Sequence, residues 1–101
     1  MSRRFQSSSL DDCLRALEHD RRRDVLTTLS ATETLDLADL GTADRDRLSL
    51  VHHHLPVLDD LGYVEWESET GRVGRGPRFD EIDALLELLR SHEEDLPWAV
   101  T

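Results

Sequence analysis

The chain of 101 residues contains no lysine, and all 12 of its basic residues are arginine. Against them stand 22 aspartate and glutamate residues, which give a formal net charge of −10. An acid excess without lysine is typical of proteins that stay soluble in molar salt, where the Debye length falls to about 3 Å and repulsion between carboxylates is screened. The composition therefore favours a halophilic protein over an ordinary acidic mesophilic one.

Cysteine and long apolar runs are also scarce. The single cysteine, Cys13, excludes a disulfide within the chain and suits a reducing compartment. Its helical spacing with Leu10, Leu14 and Leu17 favours a core residue over a reactive thiol. No apolar run approaches the roughly 18 residues of a membrane span, and the chain begins without the apolar segment of a signal peptide. We therefore expect a cytoplasmic protein with no membrane partner.

The length suits one small domain, for which burial alone gives modest stability, so that a partner such as a second copy is expected. We predict a disordered segment over residues 1–8, a domain over 9–78, a C-terminal helix over 79–92 and a flexible acidic tail over 93–101. No internal repeat or further domain boundary is evident.

Within that domain the apolar spacing predicts two helices, followed at residues 33–40 by a short strand that runs into a short helix. A longer helix over 44–61 stops at Gly62, and the alternating YVEWE predicts a strand. A basic turn and a second strand follow. This order predicts an α+β fold, a winged helix-turn-helix with a three-helix core, a β-hairpin wing and an added C-terminal helix.

Arg21, Arg22 and Arg23 open the second predicted helix, where cations oppose the helix dipole. We expect the apolar stem of Arg22 to cover the edge of the core near Val25 and Leu26. Arg21 and Arg23 are candidates for contact with phosphate.

Three consecutive histidines, His52 to His54, lie in the longer helix and suggest a metal site. Consecutive helical side chains diverge by about 100°, however, and cannot converge on one ion. Helical metal sites use the spacing i, i+4, and the positions four residues from His52 and His54 hold leucine or proline. No nucleophile, carboxylate pair or cofactor loop accompanies the histidines. We therefore expect no metal, no cofactor and no enzymatic activity.

The remaining interpretation is that this helix recognises DNA. Ser49 and His53 are predicted to face outward, where neutral hydrogen-bonding groups can contact base edges in a major groove. Leu50 is predicted on the same face, where it could contact a thymine methyl group. Arg45 and Arg47 lie in the first turn, the end of a recognition helix that approaches bases or phosphates.

The opposite side of the helix is predicted to face the core. His52 and His54 flank this side, and we expect both to be half-buried. Pro56 removes a hydrogen-bond donor and crowds the preceding turn, which predicts a kink or break near Leu55. The core-facing stripe consists of Leu48, Val51, Leu55 and Leu58.

The segment from Gly71 to Arg78 reads GRVGRGPR and carries three arginines without an acid. We predict a flexible wing on which Arg72, Arg75 and Arg78 contact the DNA backbone or a minor groove. A solvated turn without a ligand is the alternative. The segment lacks the GK[ST] ending of a phosphate-binding P-loop.

The C-terminal helix is more apolar than a single contact with a small domain requires. We therefore predict a homodimer that forms through this helix. The residues assigned to the dimer contact are Ile82, Leu85, Leu86 and Leu89, and Leu88 belongs to the same apolar set.

Two motifs carry a family resemblance. The segments that carry it are DRRRDVLTTL and LVHHHLPVLDDLGYVEW, and the second is followed by the basic wing. They resemble segments of the small winged-helix proteins of haloarchaea, which form a domain family of unknown function. In that family a helix ending in H-x-H-L-P-x-L-x-x-x-G-x-V precedes the wing, and Arg-Arg-x-x-L marks the second helix. The first motif is filled by His52, His54, Leu55, Pro56, Leu58, Gly62 and Val64, and the second by Arg22, Arg23 and Leu26.

The resemblance covers residues 10–78 and extends more distantly to ArsR- and MarR-type repressors. It implies a winged-helix fold and transcriptional regulation. The metal-sensing cysteines of ArsR-type sensors are missing, so metal sensing is not implied.

Together these observations predict a sequence-specific regulator of transcription that binds double-stranded DNA, with no small-molecule ligand evident. The alternative is a winged helix kept as a protein-interaction module without DNA binding. Its support is the charge of −10 and the presence of Asp46, Asp59 and Asp60 on or beside the recognition helix, where carboxylates repel phosphate.

Overall fold

A computed structural model of the chain describes residues 7–40 and 44–95, with the side chains at 7, 8, 39, 40 and 44–46 outside the description. The predictions for most of the N-terminal segment and for the end of the tail lie outside these residues. Within them, no helix is long and apolar enough to cross a membrane.

Helices and strands alternate in the order that the apolar spacing predicted, and the α+β prediction is confirmed. The elements are α1 (Ser7–Leu17), α2 (Asp20–Thr32), β1 (Thr34–Asp36), a 3-10 helix (Leu37–Leu40), α3 (Asp44–Ser49), a π-helical turn (Leu50–His54), α4 (Leu55–Asp60), β2 (Val64–Glu67), β3 (Arg72–Arg75), α5 (Phe79–Ser91) and a 3-10 turn (Glu93–Asp95).

One apolar core joins the helices to the sheet. In α2 it takes the residues at helical spacing, Val25, Leu26 and Leu29, all with no exposed surface. In α1 it takes Cys13, as predicted, together with Ala16. Of the other predicted residues, Leu17 is partly buried against the core, whereas Leu10 and Leu14 are 39% and 54% exposed.

The sheet has three antiparallel strands in the order β1-β3-β2. Val64 is buried, Trp66 is half-buried against the core, and Glu65 and Glu67 are exposed. This alternation confirms the predicted inward face of β2. The turn between β2 and β3 is formed by residues 68–71, so the hairpin tip reads SETG.

The structure of the basic segment, residues 71–78, differs from the prediction. Arg72 to Arg75 form β3, which is the central strand of the sheet, paired with Leu35 on one side and Trp66 on the other through Val73. The prediction of a flexible turn over 71–78 is therefore wrong for its first half, which is a strand of the β2–β3 hairpin. The tip that projects between the strands carries Glu69 and no arginine.

The long helix runs from Asp44 to Asp60 and is called here the composite helix, because the π-turn separates α3 from α4. The helix ends as predicted at Gly62, whose positive φ of 88° lets the Tyr63 amide donate to the carbonyl of Leu58 at 3.1 Å. Pro56 stands in the first turn of α4, directly after the π-turn. The regular α-helix is thus interrupted just before Leu55, by the π-turn, and helical structure continues through Pro56 without a break.

The π-turn changes which residues face the core. A π-turn closes hydrogen bonds from i to i+5, as in the bond from the Leu55 amide to the Leu50 carbonyl, and so inserts an extra residue into the turn. Leu50 is 1% exposed and Leu48 is 59% exposed. The predicted outward position of Leu50 and inward position of Leu48 are both wrong, because the wheel assumed a regular α-helix.

Helix α5 belongs to the core. Phe79, Ile82 and Leu86 are at most 2% exposed and pack in the same cluster as the residues of α2. Two of the four residues predicted for dimer contact, Ile82 and Leu86, are therefore enclosed by their own chain. Leu85 is partly buried against the same cluster, and Leu88 is 55% exposed.

Candidate nucleic-acid interface

The outer face of the composite helix consists of Leu48, Ser49, His52 and His53, all exposed. Ser49 and His53 are exposed as predicted, although the Nε2 of His53 also lies 3.4 Å from the guanidinium of Arg22. The prediction for Leu50 fails, and Leu48 takes its place. His52 is exposed and His54 is 6% exposed, so neither has the half-buried position that was expected.

This face stands out because it carries no carboxylate. Residues 47–58 form the longest stretch of the chain without aspartate or glutamate, 12 positions in a sequence that holds 22 acids. The stretch ends at Asp59 and Asp60, which are exposed, and the Asp59 carboxylate accepts a hydrogen bond from the Trp66 amide at 3.1 Å. Residues 47–58 therefore present no fixed negative charge to an approaching anion, whereas Asp44 and Asp46 precede this stretch in the first turn of the helix.

Two arginines lie in α3. The side chain of Arg45 lies outside the described residues. Arg47 is half-buried, and its Nε atom is shielded from solvent without a hydrogen-bond partner among the described residues. A buried donor without a partner is costly, so the Arg47 guanidinium would be stabilised by an added acceptor such as a phosphate oxygen.

Arg72 is exposed on β3, where the prediction placed it in contact with DNA. Its cross-strand neighbours in the sheet are Asp36 on β1 and Glu67 on β2. Paired residues have Cβ atoms about 5 Å apart, so both carboxylates can lie beside the guanidinium. Two acidic residues therefore flank Arg72 in the sheet.

Arg75 is used inside the domain. Its guanidinium donates to the carbonyls of Leu29 at 2.9 Å and Ser30 at 3.0 Å, near the end of α2, and lies 5.0 Å from the ring centroid of Phe79. The Leu29 carbonyl also accepts from the Glu33 amide at 3.0 Å, so Arg75 adds a second donor there and gives one to the Ser30 carbonyl in the last turn of α2. The predicted phosphate contact does not match this arrangement.

Arg78 is likewise engaged. It pairs with Asp12 and Glu81, each at 3.0 Å, donates to the Leu61 carbonyl, and lies 5.3 Å from the ring centroid of Tyr63. These contacts join α1, the end of the composite helix and α5. Arg78 therefore also departs from the predicted role on a wing, because its donors are occupied by the fold.

A cluster of histidines and one arginine lies behind the outer face, and sequence reasoning missed it. Arg22 is 3% exposed, and its Nε donates to His54 Nδ1 at 3.1 Å. The rings of His19, His53 and His54 lie with centroids 4.8 to 6.3 Å apart. Burial, and then the charge of Arg22, lower the pKa of His54 below its ordinary value of 6.5.

The histidine cluster does not have the form of a metal centre. Within residues 7–40 and 44–95, no three histidine, cysteine or acidic side chains are placed to hold a metal ion. The nitrogen of His54 that faces the cluster accepts from a guanidinium, which occupies the position that a cation would need.

Comparison with protein-family models, curated proteins and solved structures gave no match. The geometry and charge of the site itself are therefore the structural basis for inferring its function.

Proposed function

We propose that the protein is a winged helix-turn-helix regulator of transcription that binds double-stranded DNA in the cytoplasm of a haloarchaeon. The element order and the strand order β1-β3-β2 support this fold, with the composite helix as recognition helix and the β2–β3 hairpin as wing. The motifs shared with small haloarchaeal winged-helix proteins support the same proposal.

The observation that carries the proposal is the outer face of the composite helix, which is exposed, hydrogen-bonding and free of carboxylates from residue 47 to 58. In a major groove, Ser49 and His53 contact base edges and Leu48 contacts a thymine methyl group. Arg45 and Arg47 approach the phosphates from the first turns, and Arg72 approaches them from the sheet. Arg75 and Arg78 are left out of the interface, since they hold the fold.

The test begins with selection of bound genomic fragments by the wild-type protein in molar KCl. Arg72→Ala is then expected to weaken binding of the selected duplex by about fivefold and to reduce the salt slope by about 0.9, because one phosphate contact is lost. Fluorescence anisotropy titrations at several KCl concentrations measure both quantities.

Arg90→Ala is the matched control, since it removes the same charge from an exposed arginine on α5 that pairs with Glu87. It is expected to bind the selected duplex like the wild type. Selection that enriches no duplex, or an equal loss for both variants, contradicts the proposal.

A second candidate function is a winged-helix module that binds another protein. Its support is the acidic character of the hairpin and of the helix end, where Glu67, Glu69, Asp59 and Asp60 are all exposed. The internal use of Arg75 and Arg78 adds to it by removing two cations from the surface. If no duplex is selected and Leu48→Glu abolishes capture of a partner protein while leaving the folded spectrum intact, this candidate replaces the first.

The homodimer stays a prediction. With Ile82 and Leu86 enclosed, the residues of α5 left for it are Leu85, Leu88 and Leu89. Sedimentation equilibrium in molar KCl is expected to show a species of twice the chain mass of 11.6 kDa. A single species at the mass of one chain contradicts the dimer without affecting the fold.

A further inference from the structure

Arg22 is a charged residue that the fold encloses almost completely, at 3% exposure. It lies between two histidines of the composite helix and the end of α1. Its Nε donates to His54 Nδ1 at 3.1 Å, its NH1 donates to the Arg15 carbonyl at 2.6 Å, and its NH2 lies 3.4 Å from His53 Nε2. Since a buried guanidinium must find acceptors for its donors, the position of His54 is tied to that of Arg22.

His53 and His54 are the last two residues of the π-turn, so the contact with Arg22 acts on that turn. The turn decides which side chain is enclosed, because it places Leu50 inside and leaves Leu48 at 59% exposure. A regular α-helix through the same residues would align Leu48 and Val51 with Leu55 instead. The regular helix is thus an alternative register for this segment, and it would present different side chains outward.

We propose that the hydrogen bond from Arg22 to His54 holds the composite helix in its π-turn register, and that protonation of His54 releases it. Nδ1 then carries a proton, can no longer accept from Arg22, and brings a second positive charge against a buried guanidinium. Arg22 is a positioning residue in this arrangement. The change of register does not depend on the proposed function. Only its consequence, that acid changes the face offered to DNA, rests on that function.

The charged groups around His54 come from three parts of the chain. From α2, Arg22 disfavours the protonated ring, while Asp20 favours it. His53 on the composite helix and His19 before α2, whose rings lie 4.8 and 5.0 Å away, also disfavour it. Glu18 lies 3.7 Å from Arg22 NH1 and is 56% exposed, so it balances Arg22 from the solvent side.

The direction of the pH effect follows from the lowered pKa of His54. The His54 ring binds its proton less readily in the folded chain than in the unfolded chain. Its neutral form therefore makes its full contribution to the stability of the fold above pH 6.5, the ordinary pKa of histidine. The stabilisation is lost as the pH falls from 6.5 towards the lower pKa of the folded state. The π-turn register is therefore expected at neutral pH and the release below it.

The register can be measured from the methyl groups of Leu48 and Leu50 by NMR with a soluble gadolinium chelate that broadens exposed signals. At about pH 8 the wild type is expected to show broadened Leu48 methyls and protected Leu50 methyls, and this contrast is expected to reverse towards pH 5. The methyls of Val25, which is fully buried in α2, report whether the domain remains folded.

His54→Asn is the decisive variant, because the amide oxygen of asparagine can accept from Arg22 near the position of Nδ1 and does not titrate in this range. It is expected to keep Leu50 protected at every pH. The control is His52→Asn, at an exposed neighbouring position. Its Leu48 and Leu50 methyl signals are expected to exchange their exposure with pH as in the wild type.

The proposal is overturned if the wild type shows broadened Leu48 methyls and protected Leu50 methyls at both ends of the pH range. It is also overturned if this difference reverses with pH in the His54→Asn variant as it does in the wild type. Exposure of the Val25 methyls together with those of Leu50 also overturns it, since acid then unfolds the domain instead of changing the register. Duplex binding is measured separately. A reversal without duplex binding at any pH removes the proposed function and leaves this inference standing.

Discussion

Replacing Gly76 with alanine is expected to lower the free energy of unfolding by about 3 kcal/mol, the upper end of the range for overpacking. A Cβ atom at this position would lie 2.6 Å from the Gly62 carbonyl oxygen, 2.8 Å from the Val64 nitrogen and 2.9 Å from the Tyr63 carbonyl carbon. All three are backbone atoms, so no side chain can rotate to make room. The Gly76 amide also donates to the Tyr63 carbonyl at 2.9 Å, which fixes the close approach.

Gly74→Ala is the matched control for this change. A Cβ atom at Gly74 would have Thr34 Cγ2 as its nearest neighbour at 3.8 Å, which is ordinary van der Waals contact. We expect its unfolding free energy to stay within about 0.5 kcal/mol of the wild type. Chemical denaturation followed by circular dichroism measures both variants. Equal stability of the two would mean that the backbone at Gly76 does not approach residues 62–64 as described.

The close approach at Gly76 also explains why Arg75 and Arg78 make contacts within the domain instead of lying on a flexible turn. It brings the chain after β3 against the end of the composite helix, where Arg78 reaches the Leu61 carbonyl. In the sequence, GRVGRGPR showed charge and glycine but not the acceptors that the arginines would meet. Arg75 finds carbonyls 45 and 46 residues away, and such acceptors leave no local pattern.

Other parts of the fold could be predicted because their causes are local. Gly62 has a positive φ, which favours glycine, so the end of the helix could be predicted from this one residue. The alternation of Val64, Glu65 and Trp66 follows from the two-residue period of a strand. The short strand and the short helix at residues 33–40 were likewise predicted from the local spacing of apolar residues.

The inner face of the composite helix could not be predicted, because its cause is a contact between distant residues. A helical wheel advances by about 100° at every residue, and a π-turn interrupts that advance. Here the turn contacts a buried arginine 32 positions earlier in the chain. Leu48 and Leu50 were therefore exchanged in the prediction, while Leu55 and Leu58, which follow the turn, were placed correctly.

Replacing Ile82 with alanine is expected to lower the free energy of unfolding by about 3 kcal/mol, within the range for buried Ile→Ala changes. Ile82 has no exposed surface and packs in the cluster that contains Leu26, Leu29 and Phe79. Truncation leaves a cavity that the surrounding helices fill only in part. Because these neighbours belong to the same chain, the loss is expected to be the same at every protein concentration, measured by denaturation over a hundredfold dilution series.

Leu88→Ala is the control on the same helix, where the leucine is 55% exposed. Its unfolding free energy is expected to stay within about 0.5 kcal/mol of the wild type in dilute solution. Stability that depends on a second copy instead rises with protein concentration, by mass action. If the cost of Ile82→Ala fades on dilution while that of Leu88→Ala does not change, Ile82 contacts a partner subunit as first predicted, and α5 is not an integral part of the single-chain core.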